Sequence, residues 1–326
     1  MLFASIRRSI FRDPGLRLRF LEVLINGVAE CLSSGHGLND EDTYNMMCQL
    51  LGRLKSNFQL SELMKTAQFA TCFELISNFT CTSLRDWNAC NNSINFLLTL
   101  WSRMTCAFRY VQITSAIALN QNVLANLIPR IVEAYIEGRL LQVLDDGGNS
   151  NPLDDPDTLR EEMTQIPQII RFVYPTCGEF LLRRFIELSN EYQVELGKLF
   201  EGNGELQEEI ANLESSGEKL ALLIHIIANV ISGQSFMLIQ VTSNHNFYDA
   251  QLSRNVLQLV NYCMQEQQSH GYRCHPQLEV AFLSFFLIFR RTFVNDQKSF
   301  AIIREYEDCK NGPIPQRAEV PPIFGM

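Results

Sequence analysis

The densest run of like chemistry in the sequence is DDGGNSNPLDDPDTLREE, residues 145–162. It sets Asp145, Asp146, Asp154, Asp155, Asp157, Glu161 and Glu162 in one short stretch. Two readings follow from these residue types. Clustered carboxylates facing a basic partner speed encounter and fix orientation. Carboxylates facing only water solvate a connection, and an exposed acid pair adds little stability. Asp155 stands directly before Pro156, the order of a helix N-cap followed by a first-turn proline. The run is long for a connection between helices, and long connections in compact folds are often functional. On these residues alone both readings stay open.

Other chemistry is sparse. The sequence has no Walker loop, no Gly-x-Gly-x-x-Gly, no His-Glu-x-x-His and no nucleophile elbow. His270, Cys274 and His275 are the one group that resembles a metal site, but their order and the lack of a fourth nearby ligand favour a polar loop. His225 falls in an apolar run and reads as a core histidine. The ten cysteines show no two-residue spacing of the zinc or thioredoxin kind. Most lie beside Leu or Phe on apolar faces, where a thiol packs as a small hydrophobe, and the compartment read from them is reducing. The chain reads as a non-enzyme with no cofactor and no metal.

Composition supports a large helical core. Hydrophobic residues make up 46% of the 326 positions, and the 22 phenylalanines outnumber the 17 glycines and 11 prolines. A formal net charge of −9 argues against nucleic acid as the main ligand and suits basic protein partners. The longest apolar stretch, Leu220 to Ile231, is short of the ~20 residues that span a bilayer and contains His225 and Asn229. No membrane insertion is expected. The Arg-bearing opening MLFASIRRSIFR imitates a mitochondrial transit peptide, and the favoured reading is a helix of a repeat.

The elements that carry these residues are helices throughout, with apolar positions at three- and four-residue steps. Pro14 to Ser33 places Phe20, Leu21, Leu24, Ile25, Val28 and Leu32 on one stripe, with Asp13 as cap and Gly35 just past its end. A second helix from Asp40 carries Tyr44, Met47, Cys48, Leu51 and Leu54. Later stripes hold Ile94, Leu97, Leu98 and Trp101, then Leu124, Leu127, Ile128, Ile131 and Tyr135, with Pro129 starting or kinking that helix. Phe185, Leu188, Tyr192, Leu196 and Leu199 share a face, as do Leu252, Val256, Leu259 and Cys263. A broad stripe runs from Leu278 through Phe282, Phe285, Phe286 and Phe289 to Phe293. Breaks are expected at 35–37, 87–92, 145–156, 202–204 and 243–249. Helices taken in pairs then give a unit of about 40 residues, the spacing of HEAT-type repeats rather than of a 34-residue tetratricopeptide consensus. The fold class is therefore all-α, a HEAT-like helical-repeat solenoid over residues 1–306. An irregular tail over 307–326 holds Pro313, Pro315, Pro321 and Pro322. Both ends read as cut from a longer array, a truncated gene model.

The wording of several stretches adds a family. LGRLKSNFQLSEL (Leu51 to Leu63) and ELISNFTCTSLRDWNACNNSINFLLTLWSRM (Glu74 to Met104) resemble the middle of the nuclear transport receptors of the exportin seven and Ran-binding protein seventeen type, karyopherins of the importin-β superfamily. ASIRRSIF (Ala4 to Phe11), AYIEGRLLQVLDDG (Ala134 to Gly147), NPLDDPDTL (Asn151 to Leu159) and LSFFLIFRRTFVNDQ (Leu283 to Gln297) resemble successive parts in order. The likeness covers roughly residues 4 to 305. It implies a shuttling receptor that binds the GTPase Ran in its GTP form, protein cargo and nucleoporins, and moves between nucleus and cytoplasm. It also implies that the acidic run contacts Ran through Asp145, Asp146, Asp154, Asp155 and Asp157. The alternative from another class is a cytosolic HEAT-repeat scaffold that works without Ran.

Overall fold

A computed structural model describes residues 6, 10–11, 13–112, 114–120, 122–143, 151–201, 206–233 and 243–294. Ten long helices follow one another: α1 (Pro14–Ser34), α2 (Glu41–Asn57), α3 (Phe69–Arg85), α4 (Trp87–Phe108), α5 (Val123–Gln142), α6 (Pro156–Ile170), α7 (Tyr174–Glu201), α8 (Leu206–Ser232), α9 (Ser243–His270) and α10 (Pro276–Phe289). Single-turn helices at Leu60–Leu63 and Ser115–Ala118, a 3-10 turn at Arg171–Val173 and a π turn at Arg290–Val294 fill connections. No strand occurs among the described residues.

Local chemistry starts and stops these helices. The Asp13 carboxylate accepts from the Gly15 N–H at 2.9 Å, Pro14 opens the first turn, and Gly35 at φ 64° closes α1 with its N–H on the Cys31 carbonyl. Asp40 caps α2 through both the Thr43 N–H and the Thr43 hydroxyl. Pro129 lies inside α5, which starts at Val123, so proline does not begin that helix.

The odd-numbered helices stack in one layer, α1 on α3 on α5 on α7 on α9, and the even-numbered helices stack in a second, α2 on α4 on α6 on α8 on α10. Among the described residues the extensive contacts run within helix pairs and between adjacent pairs, which is the pattern of a helical-repeat solenoid. The core lies between the layers. Trp101 is fully buried and its indole N–H donates to Thr80 at 3.0 Å. In α8, Leu220, Leu222, Ile224, Ile226 and Ile227 are all inaccessible, so the second half of this helix is enclosed by its neighbours. That explains the long apolar run. No helix among the described residues is long and apolar enough to cross a membrane.

Three expectations are corrected. Successive pairs start at Pro14, Phe69, Val123, Tyr174 and Ser243, so the unit exceeds fifty residues instead of about 40. The cause is helix length, 28 residues each in α7 and α9, together with the single-turn inserts. The break expected at 87–92 is the first turn of α4; only Asp86 separates it from α3, and Trp87 is drawn into the core. The break expected at 243–249 is the first turns of α9, because buried Asp249 is held by Arg171 and overrides a polar, loop-like composition. The break at 202–204 and the tail 307–326 lie outside the described residues.

Two glycines set how closely successive helices within each layer approach. A β-carbon on Gly138 of α5 would run into the Leu84 carbonyl of α3, and one on Gly52 of α2 would stand 3.0 Å from the Phe96 carbonyl of α4. Gly27 of α1 has open space around it. Gly138→Ala is therefore expected to lower stability by about 1–3 kcal/mol or more by forcing α3 and α5 apart. Gly27→Ala is expected to raise stability by about 0.5–1 kcal/mol through helix propensity. Chemical denaturation of both variants checks the opposite signs.

Candidate functional site

The acidic run sits where the chain passes from α5 to α6, and structure divides its carboxylates by role. Asp145 and Asp146 lie outside the described residues. From Asn151 the chain is anchored. The Asn151 side chain accepts from the Leu153 N–H at 3.0 Å and donates to Glu218 of α8 at 2.7 Å, while the Asp154 N–H meets the Asn151 carbonyl at 2.8 Å. Leu153 is buried beneath this turn. The segment is thus pinned to the second layer just before Asp154.

Asp154, Asp155 and Asp157 are exposed. Asp155 is engaged by its own helix. Its carboxylate accepts from the Thr158 hydroxyl at 2.6 Å, the Thr158 N–H at 3.0 Å and the Asp157 N–H at 3.2 Å. The Thr158 hydroxyl and N–H hold its pKa below the usual carboxylate value. Asp157 stands in solvent with Arg160 at 3.1 Å, an exposed pair of little energetic weight. Glu161 takes a hydrogen bond from Asn95 of α4 at 2.6 Å. The carboxylates of Asp154 and Asp157 are consequently the described pair presented outward.

Glu162 belongs to the core instead. It pairs with Arg139 of α5, accepts from the Tyr135 hydroxyl at 2.8 Å, and the Arg139 guanidinium lies 3.7 Å from the centre of the Trp87 ring. Burial pushes the Glu162 carboxyl upward, while Arg139 and Tyr135 draw it back. The spacing Leu159, Glu162, Met163, Ile166, Ile169 and Ile170 puts Glu162 on the apolar face of α6, a signal present in the sequence but masked by the surrounding acids.

The same device occurs twice more. Arg171 holds Asp249 of α9 at 2.9 and 3.1 Å and donates to the Val230 carbonyl of α8 at 2.8 Å, and the Tyr174 hydroxyl completes the carboxylate at 2.6 Å. Arg17 of α1 binds Glu62 at 2.8 Å and the Asn57 carbonyl at 2.8 Å over the Phe58 ring. Sequence reasoning identified neither.

The histidines do not converge. His270 stacks on Phe200 and meets Glu266 at 2.9 Å, whereas His275 lies 3.8 Å from Glu218. Among the described residues no group of three or more His, Cys, Asp or Glu side chains could hold a metal ion. His225 is largely buried, which depresses its pKa.

Comparison with known proteins follows the same array. The family described as the exportin-7-like TPR domain matches residues 140–307, just over half of the chain. Exportin-7-B of Xenopus laevis is 32% identical over 309 residues, covering 94% of this chain and 27% of that protein. Ran-binding protein 17 of Homo sapiens is 33% identical over 302 residues, 90% of this chain and 26% of that protein. Exportin-7 of Dictyostelium discoideum is 26% identical over 299 residues, 90% and 28% of the respective lengths. The chain thus spans about a quarter of the length of these relatives. No solved structure gives a significant match.

Two outcomes follow from the division of the acids. Glu162→Ala leaves Arg139 buried and unpaired, so a loss of about 3–5 kcal/mol is expected, while Asp157→Ala leaves the melting temperature unchanged. The double variant Arg139→Met, Glu162→Leu should recover much of the loss in the same melt. For Asp155 the folded pKa is depressed, so its contribution is present above the unfolded value of 3.8 and is lost as pH falls through the folded pKa. The melting difference between wild type and Asp155→Ala is therefore expected to be full at pH 6 and to shrink below pH 3.8.

Proposed function

Because the chain belongs to the exportin-7-like family, we propose that it works as an internal segment of a nuclear transport receptor, binding Ran in its GTP form and protein cargo. The observation that carries this reading is likeness running along nine-tenths of the helical array to proteins named as exportins and Ran-binding proteins. On this reading the receptor contacts nucleoporins, shuttles between nucleus and cytoplasm, and has no catalytic centre in this segment. A solenoid suits the task because stacked helix pairs offer long surfaces without requiring a pocket. On this reading residues 1–306 are the repeat array and 307–326 a Pro-rich tail.

Asp145, Asp146, Asp154, Asp155 and Asp157 are the Ran-facing acids of this proposal. Asp155 contributes charge while its oxygens cap α6, so Asp154 and Asp157 carry the described contact. Anchoring through Asn151 and Glu218 supports the role, since a charge held in place orients a partner better than one on a loose linker. Charges of this kind act on association rate and lose effect as salt shortens the Debye length from about 10 Å at 0.1 M to about 3 Å at 1 M. The test uses the full-length receptor with Asp145, Asp146, Asp154 and Asp157 changed to Asn. The on-rate for Ran in its GTP form should fall several-fold at low salt and converge on wild type at high salt. An unaltered on-rate and affinity at low salt would remove this loop from the interface. Equal or absent binding of the GTP and GDP forms of Ran by the wild-type receptor would favour the Ran-independent scaffold.

A further inference from the structure

Helices α7 and α9 lie side by side in one layer and run in the same direction. Near their starts a β-carbon on Gly178 would stand 3.1 Å from the Tyr248 ring, and at their ends Phe200 stacks on His270 with ring centres 4.4 Å apart. Between them is a groove of about 350 Å³. Six of its ten lining residues are amides: Asn190 and Gln193 from α7, and Asn255, Gln258, Asn261 and Gln265 from α9. None of the ten carries a charge, in a chain where 19% of residues do.

Helical spacing puts these groups on facing sides. Ile186, Ser189, Asn190 and Gln193 share one face of α7, and Asn255, Gln258, Leu259, Tyr262 and Gln265 share one face of α9. Ser189 and Leu259 are buried and form the base. Two amides are fixed by their own helices. Gln193 donates to the Ser189 hydroxyl at 3.3 Å, and Asn255 donates to the Gln251 carbonyl at 2.8 Å. Each keeps its carbonyl oxygen and one N–H for the groove. Asn190, Gln258, Asn261 and Gln265 are exposed and make no side-chain hydrogen bond among the described residues.

That chemistry selects an occupant. An amide side chain offers a donor and an acceptor together, the same pair that each peptide unit of an extended chain presents. A helical partner satisfies its own backbone and needs an apolar channel, which six amides do not make. A nucleic acid would bring phosphates to a groove without lysine or arginine, in a chain of net charge −9. The run from Asn255 to Gln265 spans about 15 Å at ~1.5 Å per residue. At ~3.3 Å per residue, about five residues of extended chain cover that length.

We propose that this groove binds a short extended peptide segment of a protein partner through the main chain of that segment. Asn190 and Gln193 stand along one edge of the segment and Gln258, Asn261 and Gln265 along the other, so backbone N–H and C=O groups find partners on both sides. Alternate side chains of the segment point down to Leu259 and Ile186, and those between face solvent. Recognition is of conformation rather than charge, so it needs neither Ran nor the acidic connection.

The test selects a displayed library of random peptides, each about seven residues long, on the immobilised chain. Counter-selection uses the variant with Asn190, Gln258 and Asn261 changed to Ala, three exposed positions. Enriched peptides are then synthesised, labelled and titrated by fluorescence anisotropy. Affinity is expected to fall at least about tenfold on the triple variant. It should change less than about twofold between about 0.1 M and about 1 M salt. Methylating alternate backbone nitrogens of the peptide removes its N–H donors and should abolish binding to wild type. Asp154→Asn together with Asp157→Asn should leave binding unchanged. A selection that enriches no peptide would overturn the proposal, as would enriched peptides whose binding collapses at high salt. Undiminished binding of the methylated peptides would also overturn it. That comparison needs wild type alone and decides the matter even where the variant fails to fold.

Discussion

An arginine laid against an aromatic ring and locked to a carboxylate recurs at three levels of this stack, and the alignment of the helices depends on it. Arg17 lies over Phe58 and holds Glu62, Arg139 lies over Trp87 and holds Glu162, and Arg171 lies over Tyr174 and holds Asp249. A solenoid has no distant contacts to correct an error, so each pair of helices must set the angle of the next. Apolar stripes alone permit sliding, because hydrophobic contact has no direction. A guanidinium fork fixed by a carboxylate, a ring and a further oxygen, a backbone carbonyl for Arg17 and Arg171 and the Gln142 side chain for Arg139, permits one arrangement. Such pairs add little net stability over an apolar substitute of the same shape, yet breaking one leaves a buried charge. Their contribution here is direction.

That constraint reaches the acidic connection. Arg139 and Glu162 bind α5 to α6 at the level where the acidic run ends, and Asn151 ties its middle to Glu218 of α8. The chain between α5 and α6 therefore enters its helix at a fixed place, with Asp155 spent on the cap and Asp154 and Asp157 turned to solvent. The same acids that look uniform in sequence thus divide into a buried clamp, a cap, an inter-helix contact to Asn95 and an outward pair. A charged surface with a rigid base is what orientation of a basic partner requires.

Much of the fold was legible because it is local. Asp13, Pro14 and Gly35 bound α1 by rules that operate over a few residues, and Asp155 with Pro156 does the same for α6. The apolar stripes named the core of α4 and α5 because their period survives any tertiary arrangement. Other features were hidden because they are set by partners far along the chain. Glu162 was read with the surface acids since its arginine is on another helix. The start of α9 was read as a loop since Asp249 is held by Arg171, seventy-eight positions away. The length of the repeat was misjudged because polar first turns of α4 and α9 looked like breaks. Family resemblance came from wording, including wording in loops, while the acids at 145 and 146 fall outside the described residues.

The most direct measurement of the clamp's role is native-state hydrogen exchange on Arg171→Gln beside wild type. Arg171 joins the end of α6 to α8 and α9, and in a solenoid the influence of one contact falls on neighbouring repeats. Amide protection should fall across α6 to α9 while α1 to α4 exchange as in wild type. Protection unchanged in α6 to α9, or lost evenly from α1 to α10, would contradict an array aligned by local buried arginines.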